Sequence, residues 1–123
     1  MRELTKAEKR QAKELIQRGI LRRHVRWQSD MRKLLDTPID YNTGNEFDRS
    51  MEITARSRKF YNEAMQMEEY CRTSMLPIGL LSLFSRGYLN ADDIACLPED
   101  IRLWIKDSLA DDTSTAAVES PLK

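Results

Sequence analysis

The chain has 123 residues, 33% of them charged and 7% aromatic, with four Gly and four Pro. That length suits a single domain that buries a core without disulfides or metal, and the composition favours an all-helical protein. The net charge is zero, yet residues 1–35 carry eleven Lys/Arg against four Asp/Glu, while residues 36–123 carry nine against sixteen. The basic segment therefore either pairs with acidic helices of its own chain or meets an acidic partner.

The opening MRELTKAEKR lacks the apolar run of a secretory signal. The longest apolar stretch, Met75 to Phe84, is interrupted by Pro77, Gly79 and Ser82, and a membrane helix needs about 20 apolar residues. A soluble, cytoplasmic protein without membrane contact is expected. Cys71 and Cys96 form neither a metal-finger pattern nor a disulfide framework, so two buried, reduced thiols are expected.

Thr5 and Glu8 have the spacing of a capping box and start a helix that runs to about Leu35, before Thr37-Pro38. Ile16, Ile20, Trp27, Met31 and Leu34 fall on one stripe of it, with Arg18, Arg22, Arg26 and Lys33 opposite. Before Leu15 the thin apolar line is Leu4, Ala7 and Leu15, and Gly19 lies near the change of face. Either the helix bends there, or its first four turns pass beyond the core and meet a different neighbour.

Residues 36–45 read as a loop, with Asn45 as the cap of a second helix running to about Arg72. That helix carries two apolar stripes. One is Phe47, Met51, Thr54, Tyr61 and Met65; the other is Ile53, Phe60, Ala64, Met67 and Cys71. Two stripes predict a central helix with neighbours on two sides. Pro77 opens a third, apolar helix that Gly87 ends. Asn90 and Asp93 cap a short fourth, and Pro98 opens a fifth with Leu97, Ile101, Trp104, Ile105 and Leu109 inside.

The expected fold is all-α: a long antiparallel, coiled-coil-like hairpin (about 6–35 and 46–72) capped by two or three short C-terminal helices. One domain spans 1–110, and residues 111–123 form a disordered polar tail. Trp27, Met31, Phe60, Met67, Leu81, Phe84, Trp104 and Ile105 are the expected core. The short helices are too small to cover the hairpin, so an apolar flank should stay free.

No catalytic set is legible. The single histidine, His24, sits between Arg23 and Val25 at the edge of the apolar stripe, with no paired nucleophile. No Glu-x-x-His motif supports a bundle metal site. Of Glu63, Glu68 and Glu69, only Glu68 falls on an apolar stripe, where a cation of the first helix should pair with it. The glycines are isolated, so no phosphate-cradling loop is present. The row Arg18, Arg22, Arg26 and Lys33 has the spacing for phosphate contacts. Against it stands a pI of about 6.6. A recognition helix read over 90–100, NADDIACLPED, would present four carboxylates to DNA. The expected function is non-enzymatic: an adaptor or regulatory protein without cofactor that binds another protein or a second copy as a homodimer, with Arg18, Arg22, Arg26 and Lys33 as the partner-binding row. The alternative is a nucleic-acid accessory protein that uses the same row.

Overall fold

The computed structural model describes residues 2–42 and 44–119, with side chains through residue 110. All regular structure among the described residues is helical. In chain order it comprises α1 (Lys6–Asp36), α2 (Asn45–Glu68), two 3-10 turns (Glu69–Cys71 and Thr73–Met75), α3 (Leu76–Ser85), α4 (Ala91–Ile94) and α5 (Glu99–Glu119). The expected tail of 111–123 begins inside α5. The side chains from residue 111 onward, and residues 120–123 altogether, lie outside the described ones.

Local chemistry sets most boundaries. The Thr5 hydroxyl accepts from the Glu8 N–H at 3.2 Å and the Glu8 carboxylate accepts from the Thr5 N–H at 2.8 Å, completing the capping box of α1. At the end of α3, Gly87 takes a φ of 80°. Its N–H donates to the Phe84 carbonyl, and the Tyr88 N–H donates to the Leu83 carbonyl. This is a Schellman motif, and a side chain at Gly87 would strain it. Asn90 and Asp93 form a second capping box at α4. Asn45 does not cap α2 as expected. Gly44 holds the cap position, and the Asn45 side chain instead accepts from the Asp40 N–H and donates to the Pro38 carbonyl, pinning the loop. Arg49 reaches back to the carbonyls of Leu35, Thr37 and Pro38, giving acceptors near the end of α1 a donor.

The core lies at the first half of α1. Leu4, Ala12, Leu15 and Ile16 are buried with Met67, Leu76, Leu80, Leu83, Leu89, Ile94, Leu97, Ile101 and Ile105. The early turns of α1 thus do meet a different neighbour, chiefly α3, which also packs on α5, but they carry the core instead of passing beyond it as expected. The helix is continuous through Gly19, which serves as a contact point. A Cβ there would fall 3.0 Å from Leu83 Cδ1. At Gly79 on α3, a Cβ would fall 2.6 Å from Tyr70 Cβ and 3.0 Å from Ile16 Cδ1. Two glycines let α1, α3 and the Tyr70 turn approach closely. That turn also explains why α2 stops at Glu68 rather than near Arg72. Arg72 is extended (φ −70°, ψ 140°), and the chain folds back to seat Tyr70 on α3, where its hydroxyl lies 3.1 Å from Ser82 Oγ.

Several expectations are corrected. Met31, Met67 and Ile105 are buried, whereas Trp27, Phe60, Leu81, Phe84 and Trp104 are only partly so. Helix α2 is not central, since Met67 is its one buried residue. The stripe Ile53, Phe60, Ala64 and Met67 turns inward, while Phe47, Met51, Thr54, Tyr61 and Met65 lie in solvent. Cys71 is half-buried but Cys96 is exposed, so the pair is not a buried one.

Candidate functional site

The expected partner-binding row does not stand free. Arg22 grips the Asp93 carboxylate with both terminal nitrogens, at 2.5 and 3.0 Å, and also donates to the Tyr88 carbonyl at 3.1 Å. Arg18 reaches the same carboxylate at 3.5 Å. The Arg26 guanidinium lies 4.7 Å over the Tyr88 ring. Lys33, at the far end, is exposed. Three of the four cations therefore clamp the 88–93 segment onto α1. Asp93 is buried, and its carboxyl is held down to about 2, chiefly by Arg22, with help from the Asn90 N–H and Arg18. The pairing raises Arg22 in turn.

The other cross-links follow the same logic. Arg2 forks onto Glu8 at 2.7 Å and reaches Asp100 of α5 at 2.6 Å. It lowers the Glu8 carboxyl to about 2 and lowers Asp100 as well. Basic residues of the first 35 thus meet acids of α4 and α5, the intramolecular reading of the charge split. Glu68, the expected partner of α1, is exposed and has no ion pair among the described residues. Glu63 takes that part, binding Arg23 at 3.1 Å and Arg86 at 3.4 Å.

Arg23 is the functional candidate that sequence reasoning passed over. It is 3% exposed. One terminal nitrogen donates to the Phe60 carbonyl at 3.0 Å and to Glu63, and its guanidinium lies 4.0 Å over the Phe60 ring. The other terminal nitrogen, Nη1, is buried without an acceptor. One helical turn on, Trp27 stacks on Phe60 at 4.5 Å, and its indole Nε1 is also buried without an acceptor. His24 meets the same ring edge-on at 5.0 Å. The signal in the sequence was partial: at about 100° per residue, Arg23 falls about 20° outside the Ile16–Ile20–Trp27–Met31 stripe, beside Ile16, and a cation buried at that margin must be paired or functional.

Between α1 and α2 these residues line a cleft of about 160 Å³, walled by Arg23, Arg26 and Trp27 on one side and Arg56, Lys59 and Phe60 on the other. Arg26, Arg56 and Lys59 are exposed, and Arg56 is engaged by Glu52 at 2.5 Å.

The larger surface feature is apolar. Of the eleven large hydrophobic residues exposed among the described ones, nine lie between Leu21 and Met65, on α1, α2 and their connecting loop. Phe47 (70%), Met51 (58%), Tyr61 (64%) and Met65 (51%) make a line along the outer face of α2.

Among the described residues, no group of three or more His, Cys, Asp or Glu could hold a metal, and no helix is long and apolar enough to cross a membrane. Comparison with protein-family models, with curated proteins and with solved structures returns no match.

Proposed function

We propose that this protein acts by binding another helical surface, with α1 and α2 forming an antiparallel hairpin capped by α3 to α5 and the outer stripe of α2 as the docking face. The observation that carries this reading is the concentration of exposed apolar side chains on α2. Phe47, Met51, Tyr61 and Met65 recur at helical spacing on the face turned away from Phe60 and Met67. From Phe47 to Met65 that line is about 27 Å long at 1.5 Å per residue, with Thr54 and Arg58 on the same face between its two apolar ends, and exposed apolar side chains gathered on one face mark interaction sites. A second copy of the chain is the first partner to test, because a two-fold contact uses one patch on both subunits. The internal engagement of Arg18, Arg22 and Arg26 leaves the nucleic-acid reading mainly Lys33, and so favours protein binding.

Sedimentation velocity tests the reading. The wild type should dimerise at tens of micromolar, and Met51→Lys with Tyr61→Lys should return it to monomer with an unchanged helical dichroism spectrum. A wild type that is monomeric at high micromolar concentration removes the second copy as partner. A pull-down in which the double variant captures the same proteins as wild type removes the stripe altogether.

A further inference from the structure

We infer that the outer stripe of α2 is a coiled-coil seam on which two copies of this chain pair antiparallel, α2 on α2, with Thr54 of each copy facing Arg58 of the other. The inference rests on the reading of that stripe as a docking face and goes further by fixing the occupant, the orientation and the register.

Spacing gives the seam. Phe47, Met51, Thr54, Arg58, Tyr61 and Met65, all exposed, follow one another at intervals of four, three, four, three and four residues. That alternation is the a and d pattern of a heptad, the 3.5-residue repeat by which a helix keeps one seam on a partner helix. The next positions of the repeat are Gly44, the N-cap, and Glu68, the last residue of α2, so the seam ends where the helix does. Its flanks carry Ser50, Ala55, Ser57, Asn62 and Ala64, none of them charged. Coiled coils commonly choose partner and orientation through flanking charges. Here the seam itself has to choose.

The order of its side chains makes that choice. Read in either direction, the seam runs two large hydrophobic residues, two polar ones, then two large hydrophobic ones. Laid on a reversed copy of itself, it sets Phe47 opposite Met65, Met51 opposite Tyr61 and Thr54 opposite Arg58. Every large hydrophobic residue then meets another. A two-fold contact needs such a self-complementary patch, whereas a patch made for an unrelated partner has no reason to be symmetric about its centre. A parallel pair in register also matches large with large, but it sets Arg58 on Arg58 in one layer, and like charges face to face are repulsive. The antiparallel pair moves the two guanidinium-bearing positions apart by four residues, about 6 Å along the axis. It also gives each Arg58 a hydroxyl to bond. Thr54 Oγ1 donates to the Ser50 carbonyl at 3.0 Å, which leaves the oxygen itself to accept. A slip of one heptad sets Phe47 opposite Arg58 or beyond the end of α2, so the polar layers fix the register, a use that coiled coils make of a polar core position.

Spin labels on the full chain test this, in a background of Cys71→Ala and Cys96→Ser. Ala55→Cys and Gln66→Cys each carry one label at an exposed position beside the seam. In the antiparallel dimer the two labels at position 55 lie about 3 Å apart along the axis and those at position 66 about 30 Å apart. A parallel dimer gives one short separation at both positions. The expected result is strong dipolar broadening for Ala55→Cys, a resolved long distance for Gln66→Cys, and loss of both when Met51→Lys and Tyr61→Lys are added. Equal separations at the two positions overturn the inference and leave the stripe standing as a docking face. Separations that survive the two lysines overturn the inference and the stripe together. A wild type that sediments as a monomer at high micromolar concentration overturns the inference alone, and the pull-down then decides whether the stripe meets a different protein.

Discussion

The two ends of α1 live under different physics. Its first half is dry: Ala12, Leu15, Ile16 and Gly19 meet α3 at distances that only small or well-fitted side chains allow. Its second half, with α2, is held by one aromatic stack, one buried arginine and few apolar contacts, and most of its large hydrophobic residues face water. The contrast places most of the buried core in the first region and most of the exposed large hydrophobic residues in the second. Burial of apolar area dominates folding, so α3 and α5 were spent on the end that needs a core. The other end exposes Phe47, Met51, Tyr61 and Met65, and exposed apolar residues in such number are the usual mark of a surface that meets something else; buried donors without acceptors do not separate the ends, since Arg102 on α5 has one as well as Arg23 and Trp27.

The sharpest way to break the comparison is a pair of truncations. Leu80→Ala, in the dry core, should destabilise by about 2–5 kcal/mol in urea unfolding, while Phe47→Ala on the outer stripe of α2 should stay within about 0.5 kcal/mol. Equal losses would erase the division. Gly79→Ala comes next. It places a methyl 2.6 Å from Tyr70 Cβ, and overpacking of this kind costs about 1–3 kcal/mol. A neutral result would mean that the Tyr70 turn yields easily.

Asp93 sharpens the boundary between the regions, since Arg22 ties it to α1 just before the cleft. Asp93→Asn should cost about 1–2 kcal/mol, from weaker bonds to Arg22 and a weaker cap. Its carboxyl sits at about 2 in the folded chain and near 3.9 when unfolded. The folded value is the lower one, so this contribution is complete above about pH 4 and is lost as pH falls toward 2. Acid titration of stability should therefore be less steep in the variant across that window. A residual slope should remain, because Glu8, held by Arg2, titrates in the same range. The smallest effect belongs to the exposed Arg56–Glu52 pair. Arg56→Gln should change stability by at most about 0.5 kcal/mol, and a larger loss by thermal melting would show that the second region is more tightly coupled than its exposure implies.

Signals that depend on a few adjacent residues were legible in the chain. The capping boxes at Thr5–Glu8 and Asn90–Asp93 and the Gly87 stop came out where the spacing put them. Each is a hydrogen-bond pattern or a φ preference within one turn. Asn45 misled because its amide found a stronger use in bridging the loop than in capping α2. The candidate cleft was half legible. An arginine at the margin of an apolar stripe is visible at Arg23, but the partner that lays a ring beneath it, Phe60, comes from another helix.

What the sequence determined by itself is the helical class, most helix limits, and the charge division between the first 35 residues and the rest. Those follow from local energetics and from composition. Only the tertiary structure decided which of the two stripes of α2 is buried, which acid each arginine holds, and that Gly19 is a contact rather than a bend. The physical reason is that both stripes have the same periodicity and similar side chains. Choosing between them depends on how much apolar area α1, α3 and α5 bury elsewhere, and that is a sum over distant parts of the chain that no local pattern contains.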